Sequence, residues 1–419
     1  MSRTRSFVVT MIGLGLAVTL TACGSSEPGA ATSAELDVRT LDVGGFTVDP
    51  LDIHEDDPPG LTDTPQIGGL RISDYTVNAY DVDPRMNVGM SPSDMGTFES
   101  GVMSERLGNS DAVKAVATRE DMYFGFETIG SDMRTFIDST SPDGWPSVDP
   151  HNSTAVDLIV MQFPDAGAAT RAAGEFADAE SGIDKTTAAI PLPKYPAARA
   201  QWRPGIAELR SYLAHGSYVA AVLVFAPTAD PTTLTALAQK TYDTEFPVLD
   251  TLPPISDEDV MGVSWDPEYL ISRTLNAAQL GRLSFGDQNA AFTLHGIMNY
   301  MPDRATAAKT FAAIKGQKFA RTDDALLVRT ADAASAAKAV HDRLTPEKFL
   351  TPARDVPKLP DSACVQNTSE QTFPTDRKRF TCIVAYRNYV GYVNSDQLID
   401  VQQRAAAQYA LLANSTWEP

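Results

Sequence analysis

Histidine, cysteine and positive charge are all scarce here, and each shortage removes a class of function. The five histidines, His54, His151, His215, His295 and His341, fall in separate segments with no i, i+4 pair, so the H-E-x-x-H zinc arrangement is excluded. Three cysteines with no C-x-x-C spacing leave no zinc ribbon or dithiol redox motif. Against 54 Asp+Glu there are 34 Lys+Arg, and the net charge of −20 argues against nucleic acid and against flat adsorption on anionic lipid. Catalytic signatures are also missing. No G-x-G-x-x-G follows a candidate strand, and Gly262-Val263-Ser264-Trp265-Asp266 lacks the closing glycine of a hydrolase elbow. Ser335-Ala336-Ala337-Lys338 fits S-x-x-K, but neither S-D-N nor K-T-G accompanies it, so it reads as one face of a helix. The acidic clusters Glu55-Asp56-Asp57 and Asp257-Glu258-Asp259 lack the alternating spacing that wraps a calcium ion. No catalytic residue, metal ligand or cofactor is therefore assigned, although a hydrolase whose site is assembled only by the fold stays an open alternative.

What is present begins at the N-terminus. Arg3 and Arg5 precede the apolar run Phe7 to Leu20, which is short for a membrane span, and Leu20-Thr21-Ala22-Cys23 follows. These residues resemble the lipobox of bacterial lipoproteins. The resemblance implies a signal peptide over 1–22 and acyl chains on Cys23 that anchor the chain to the outer face of the cytoplasmic membrane. Loss of residues 1–22 removes two arginines and no acid, leaving a net charge of −22. Residues 23–35 are small and polar, the composition of a tether. With Cys23 acylated, Cys364 and Cys382 form an even pair in an oxidising compartment, and a disulfide between them is expected.

The remaining chain divides at Phe246 to Asp259, where prolines and acids interrupt two periodic regions. We place an N-terminal domain at 36–250, a linker at 251–259 and a C-terminal domain at 260–419. The domains read as copies. LIVMQFPDAGAATRAAGEF (158–176) and ALLVRTADAASAAKAVHDRL (325–344) each give a strand, an aspartate cap (Asp165, Asp332) and an alanine-rich helix. LAHGSYVAAV (213–222) and VAYRNYVGYV (384–393) give matching hairpins, with Tyr218 aligned to Tyr389. Strand, helix, hairpin and helix in that order predict an α+β fold: two related sandwich domains, each an antiparallel or mixed sheet with helices on one face, of ferredoxin-like flavour.

Several stretches resemble a family of uncharacterised actinobacterial cell-envelope lipoproteins built from paired N- and C-terminal domains of unknown function. They are LDVGGF (41–46), ISDYTVNAYDVDP (72–84), FTCIVAYRNYVGYV (380–393) and VQQRAAAQYALL (401–412). The resemblance implies a surface-tethered envelope protein and brings no catalytic or binding residue with it. The expected role is non-catalytic binding or assembly, with the membrane as one partner through the acyl chains and an envelope protein or a small molecule as another. A solute-binding lipoprotein closing around a cleft near Pro253-Pro254 is the main alternative. Trp145 and Trp265, in loop-like contexts, are expected to pack between domains.

Overall fold

The computed structural model describes residues 36–50, 60–90, 93–95, 107, 110–133, 152–181, 185–256, 258–277, 289–322, 325–342, 349–368 and 378–415. Residues 1–35, with Cys23, the expected leader and the tether, lie outside them.

The first domain starts with α1 (Thr64–Ser73) and the short α2 (Ala79–Val82), then β1 (Val88–Gly89), β2 (Ser93–Met95), α3 (Ser110–Arg119), β3 (Phe124–Ser131), β4 (Ala155–Gln162) and α4 (Ala166–Ser181). It continues through β5 (Ala188–Ala189), β6 (Arg199–Trp202), β7 (Glu208–His215), β8 (Tyr218–Phe225) and α5 (Pro231–Leu249). The second domain contains β9 (Ala290–Phe292), α6 (Leu294–Asn299), α7 (Arg304–Ala313), β10 (Gly316–Thr322), β11 (Ala325–Thr330) and α8 (Ala333–Asp342). It ends with β12 (Leu350–Pro352), β13 (Ser362–Asn367), β14 (Phe380–Tyr386), β15 (Tyr389–Ser395) and α9 (Leu398–Asn414).

Both sheets have one topology. The first runs β1-β3-β4-β8-β7-β6-β5, with β2 also on β3, and the second runs β9-β10-β11-β15-β14-β13-β12. The repeat extends to single residues. Gln162 pairs with Tyr218 across β4 and β8, and Arg329 pairs with Tyr389 across β11 and β15, at the offsets the sequence comparison gives. Asp165 accepts from the Ala168 amide at 2.8 Å, and Asp332 accepts from the equivalent Ser335 amide at 2.7 Å. These caps satisfy donors that the first helical turn leaves without partners. The β7–β8 and β14–β15 loops are two residues long, with positive φ at Gly216 (59°) and at its counterpart Arg387 (50°). Arg387, rather than the more permissive Asn388, holds that conformation.

Every pairing among the described strands is antiparallel, which leaves no split βαβ unit of the ferredoxin kind. Helices cover both faces of each sheet rather than one. In the first domain Ile159, Met161, Val219 and Ala221 cluster with α3 and α4 through Val113, Val116, Ala169 and Phe176. The alternate residues Leu158, Val160, Ala220 and Val222 cluster with α1 and α5 through Ile67, Leu234, Ala238 and Tyr242. In the second, Val328 packs with Ala336 and Ala339 of α8, while Leu327 packs with Leu412 of α9. The physical reason lies in the strands. All eight residues of β3 and of β4 are buried, so neither strand has a solvent face to alternate with.

Two connecting segments differ in which domain holds them, and residues 38–48 form a strap along the second. Residues 252–260 are fastened to the first domain: Arg71 donates to the Pro253 carbonyl at 2.6 Å and the Gln162 amide to that of Ile255. Residues 38–48, counted with the first domain by position, instead lie along α9 of the second. The Gln403 amide donates to both Asp42 carboxylate oxygens at 3.1 Å, and Asn414 donates to the Val48 carbonyl at 2.9 Å.

Candidate functional site at the domain junction

The segment 72–84 folds into the turn between α1 and α2, and there it joins the two domains. Asn299 of α6 donates to the carbonyls of Ser73 and Thr76 at 3.1 and 3.2 Å. Asp74 accepts from the Thr293 amide and hydroxyl, both at 2.8 Å. Phe126 of β3 meets Tyr300 with ring centroids 6.2 Å apart, and Tyr300 meets Phe292 of β9 at 4.8 Å. One apolar core therefore runs from the first sheet into the second.

At its centre Arg304, the first residue of α7, is fully buried. Its Nη2 donates to the Thr128 hydroxyl at 3.1 Å and the Ile129 carbonyl at 2.9 Å, while Nε and Nη1 are buried without hydrogen-bond partners. Gly130 makes room for it, since a Cβ there would sit 2.3 Å from Nη1; a Cβ at Gly89 would collide first with the Met301 carbonyl oxygen, at 2.1 Å, and would sit 3.1 Å from Nε. The Arg304 amide donates to the Asn87 carbonyl, and the Gly89 amide to that of Pro302, so the edge of the first sheet is bonded to the second domain.

Burial sets the electrostatics. Desolvation pushes Arg304 down to about 10, against the pull of Asp81. Glu245 of α5, with no exposed surface, accepts from the Val77 amide at 2.9 Å and is pushed up to about 8 by burial, with the Asp81 charge raising it further. Its second oxygen is buried without a partner. Burial also raises Asp74 to about 6, against its bonds to Thr293. Glu245 and Arg304 are thus buried on either side of the exposed Asp81, whose charge acts on both. The hydrogen bonds of Asn299, Asp74 and Arg304 fix the relative placement of the domains.

Other sequence-derived candidates fall elsewhere. Cys364 and Cys382 are bonded, directly opposite each other on β13 and β14. The backbone of Cys364 turns away from β14, its amide donating to Asp355 and its carbonyl accepting from Ala353, so the bond spans a non-hydrogen-bonded pair, where strands approach most closely. Ser335 is buried at the start of α8, and Lys338 pairs with Asp342 one turn on. His215 stacks on Phe246 at 4.2 Å and meets Asp250 at 2.6 Å. Trp265 packs against the second domain's own Leu270, Ile271 and Leu412 cluster rather than between domains. Trp145, His54 and His151 lie outside the described residues. Among the described residues no group of three His, Cys, Asp or Glu side chains gathers closely enough to hold a metal ion.

A shallow, solvent-open groove lies at the far edge of the first sheet, lined by Thr187, Gln201, Trp202, Ile206, Glu208 and Arg210. No motif marked it beforehand, because its residues are scattered over two strands and a turn. Arg304 also escaped sequence reading, since a basic residue after the Asp303 cap looks like an ordinary solvent-facing helix residue. The trace it leaves is indirect: a glycine at 130, in a strand that otherwise favours larger residues.

A family model described as the N-terminal domain of unknown function DUF7373 matches residues 55–265, and its C-terminal companion matches residues 270–415. Their junction at 265–270 falls between the two sheets. No curated protein matches the chain.

Proposed function

We propose, for a chain that belongs to the two-domain DUF7373 family, that it is a lipid-anchored envelope protein whose paired domains act as one rigid, non-catalytic binding or assembly unit. The observation that carries the reading is the unbroken core between the sheets. A hinge receptor needs an open cleft and two lobes free to close. Here the junction is filled by Phe126, Tyr300, Phe292 and Arg304, and the Pro253 linker is fastened to the first domain. Support for the extracytoplasmic setting comes from the Leu20-Thr21-Ala22-Cys23 motif and from the Cys364–Cys382 bond, which persists in oxidising compartments.

The test has two arms. Fractionation of cells expressing the full chain should place it in the membrane with acyl chains on Cys23, and Cys23→Ser should accumulate as unprocessed precursor. Small-angle scattering should give one unchanged profile across a panel of envelope metabolites. A processed, membrane-bound Cys23→Ser protein would refute the anchor, and ligand-dependent compaction would refute the rigid unit in favour of solute capture.

A further inference from the structure

One face of the first sheet changes character along β7. Tyr212 packs on Phe176 of α4 with ring centroids 6.2 Å apart, and further back on the same face stand Arg210 and Glu208, whose Nε and Oε1 meet at 2.6 Å. Gln201 of β6 is the register partner of Arg210 and lines the same groove. Its Nε2 donates to the Ala177 carbonyl at 2.5 Å, while its Oε1 is buried with no hydrogen-bond partner among the described residues. The turn Arg203-Pro204-Gly205-Ile206 forms the rim. Its Ile206 amide donates to the Arg203 carbonyl at 2.9 Å, and Pro204 followed by Gly205 at φ 86° makes it a type II turn. The Trp202 indole donates to the Ile206 carbonyl at 2.8 Å and locks it. The groove is therefore shaped before anything enters it, which lowers the ordering cost of binding.

The fold does not require these polar residues. Counted back from the aligned Tyr218 and Tyr389, Arg210 of β7 corresponds to Thr381 of β14, and their partners across the strands are Gln201 and Val365. The second domain thus builds the same register with a buried valine, whereas the first keeps a glutamine, 8% exposed, whose unmet acceptor costs stability. We propose that the groove binds a free α-amino acid with an apolar side chain. The guanidiniums of Arg203 and Arg210 hold its carboxylate, and Glu208 with the Gln201 Oε1 accepts from its ammonium. The Oε1 reaches the groove by a small turn about the last side-chain torsion, which is broad. Ile206, 42% exposed, and Trp202 take the side chain. A ligand of both signs suits the lining better than a simple anion, because two guanidiniums and a carboxylate share one short stretch of sheet. The site lies within the first domain, so it fills without closure of one domain on the other and goes beyond the anchored, rigid unit proposed above.

The experiment titrates L-leucine into the full chain in detergent and follows the indole N–H signals of isotope-labelled tryptophan by nuclear magnetic resonance. The chain has four tryptophans, and loss of one signal in Trp202→Phe identifies Trp202. Leucine is expected to shift that signal saturably and leave the other three in place. Leucinamide lacks the carboxylate and N-acetyl-leucine lacks the ammonium, and each should bind about tenfold or more weakly. Gln201→Val and Arg210→Thr introduce the residues that the second domain carries at these positions. Each should weaken leucine binding about tenfold or more, and Gln201→Val should also raise the urea midpoint. No shift up to the solubility limit of leucine overturns the proposal, as does either analogue binding as tightly as leucine. Wild-type affinity in Gln201→Val or Arg210→Thr overturns it too. Arg210 is partly exposed, so its replacement keeps the test decisive if Gln201→Val fails to fold. Failure on any of these counts leaves the anchor and the rigid junction untouched.

Discussion

Gly130 and Arg304 are fitted to one another across the domain junction, the glycine lacking the one carbon that would collide with the arginine Nη1 at 2.3 Å. The same carbon would lie 2.7 Å from the Ala79 Cβ, so it has no open side to move toward. Gly130→Ala is expected to lose about 1–3 kcal/mol of stability through overpacking. A urea titration measures the loss, and an unchanged midpoint would mean that the two sheets separate without cost at this point.

Arg304 itself is predicted to be replaceable by bulk more readily than by nothing. A buried guanidinium costs desolvation energy, and here its Nε and Nη1 recover no hydrogen bonds. Arg304→Met keeps most of the volume and removes the charge, whereas Arg304→Ala leaves a cavity beside β3. The alanine variant should be the less stable of the two by about 2 kcal/mol. Paired denaturation curves give the order directly; a methionine variant as damaged as the alanine one would mean that the charge, with Asp81, is the stabilising element.

Protonation of Glu245 is predicted to make the fold more stable in mild acid than in mild base. Its carboxyl is pushed from the ordinary 4.5 up to about 8 in the folded chain, so the folded state binds more protons than the unfolded state between those limits. Stability from this group is complete below about pH 4.5 and is lost as pH rises through about 8, at about 1.4 kcal/mol per pH unit within the window. Asp74, raised from 3.8 to about 6, acts with the same sign over its own lower range. Glu245→Gln should flatten the dependence between pH 5 and 8.5 and leave the variant the more stable protein at the upper end. Denaturant midpoints at these two values test both statements.

How far the sequence foretold this architecture depended on whether the relevant residues were neighbours in the chain. Asp165 and Asp332 announced their helices because a cap bonds to amides two or three residues away. Tyr218 and Tyr389 announced the repeat because each begins the second strand of a tight hairpin. The disulfide followed from counting cysteines. Coverage of both sheet faces was legible only weakly, in the absence of polar alternation along LIVM (158–161), which a one-sided sheet would have shown. Arg304, Asp74 and Glu245 were beyond reach, since their meaning comes from partners far away in sequence: Thr128, Thr293 and Val77 respectively. The strap misled by position alone. LDVGGF belongs to the beginning of the chain and packs against its end.

The Cys364–Cys382 bond should act on the second domain without being needed for its topology. It joins residues 18 apart and, in the chain-entropy view, contributes about 3 kcal/mol by restricting the unfolded chain. The two strands also share a hydrogen-bonded register from Ser362 to Gln366, and α9 packs on β14, the Tyr409 ring meeting that of Tyr386 at 5.4 Å. Reduction is therefore expected to lower the unfolding midpoint while far-ultraviolet circular dichroism stays native in buffer. Loss of the native spectrum on reduction alone would show that β13 and β14 hold together only through the sulfur bridge.

Release of the strap is predicted to alter protease sensitivity far more than global stability. Phe46 rests under Arg404, and an exposed contact of this kind contributes about 0.5–1 kcal/mol. Phe46→Ala leaves the Gln403–Asp42 and Asn414–Val48 bonds in place, so the denaturation midpoint should move little. Local opening is governed by a smaller sum of contacts than global unfolding, and a similar loss removes a larger share of it. Limited proteolysis should consequently cut the variant faster after Arg39 while the two sheets remain intact. Hydrogen exchange provides the second readout: faster exchange confined to residues 38–48 fits a strap that opens independently of the core, whereas faster exchange spreading into β14 and β15 would show that the strap and the α9 layer open as a single cooperative unit.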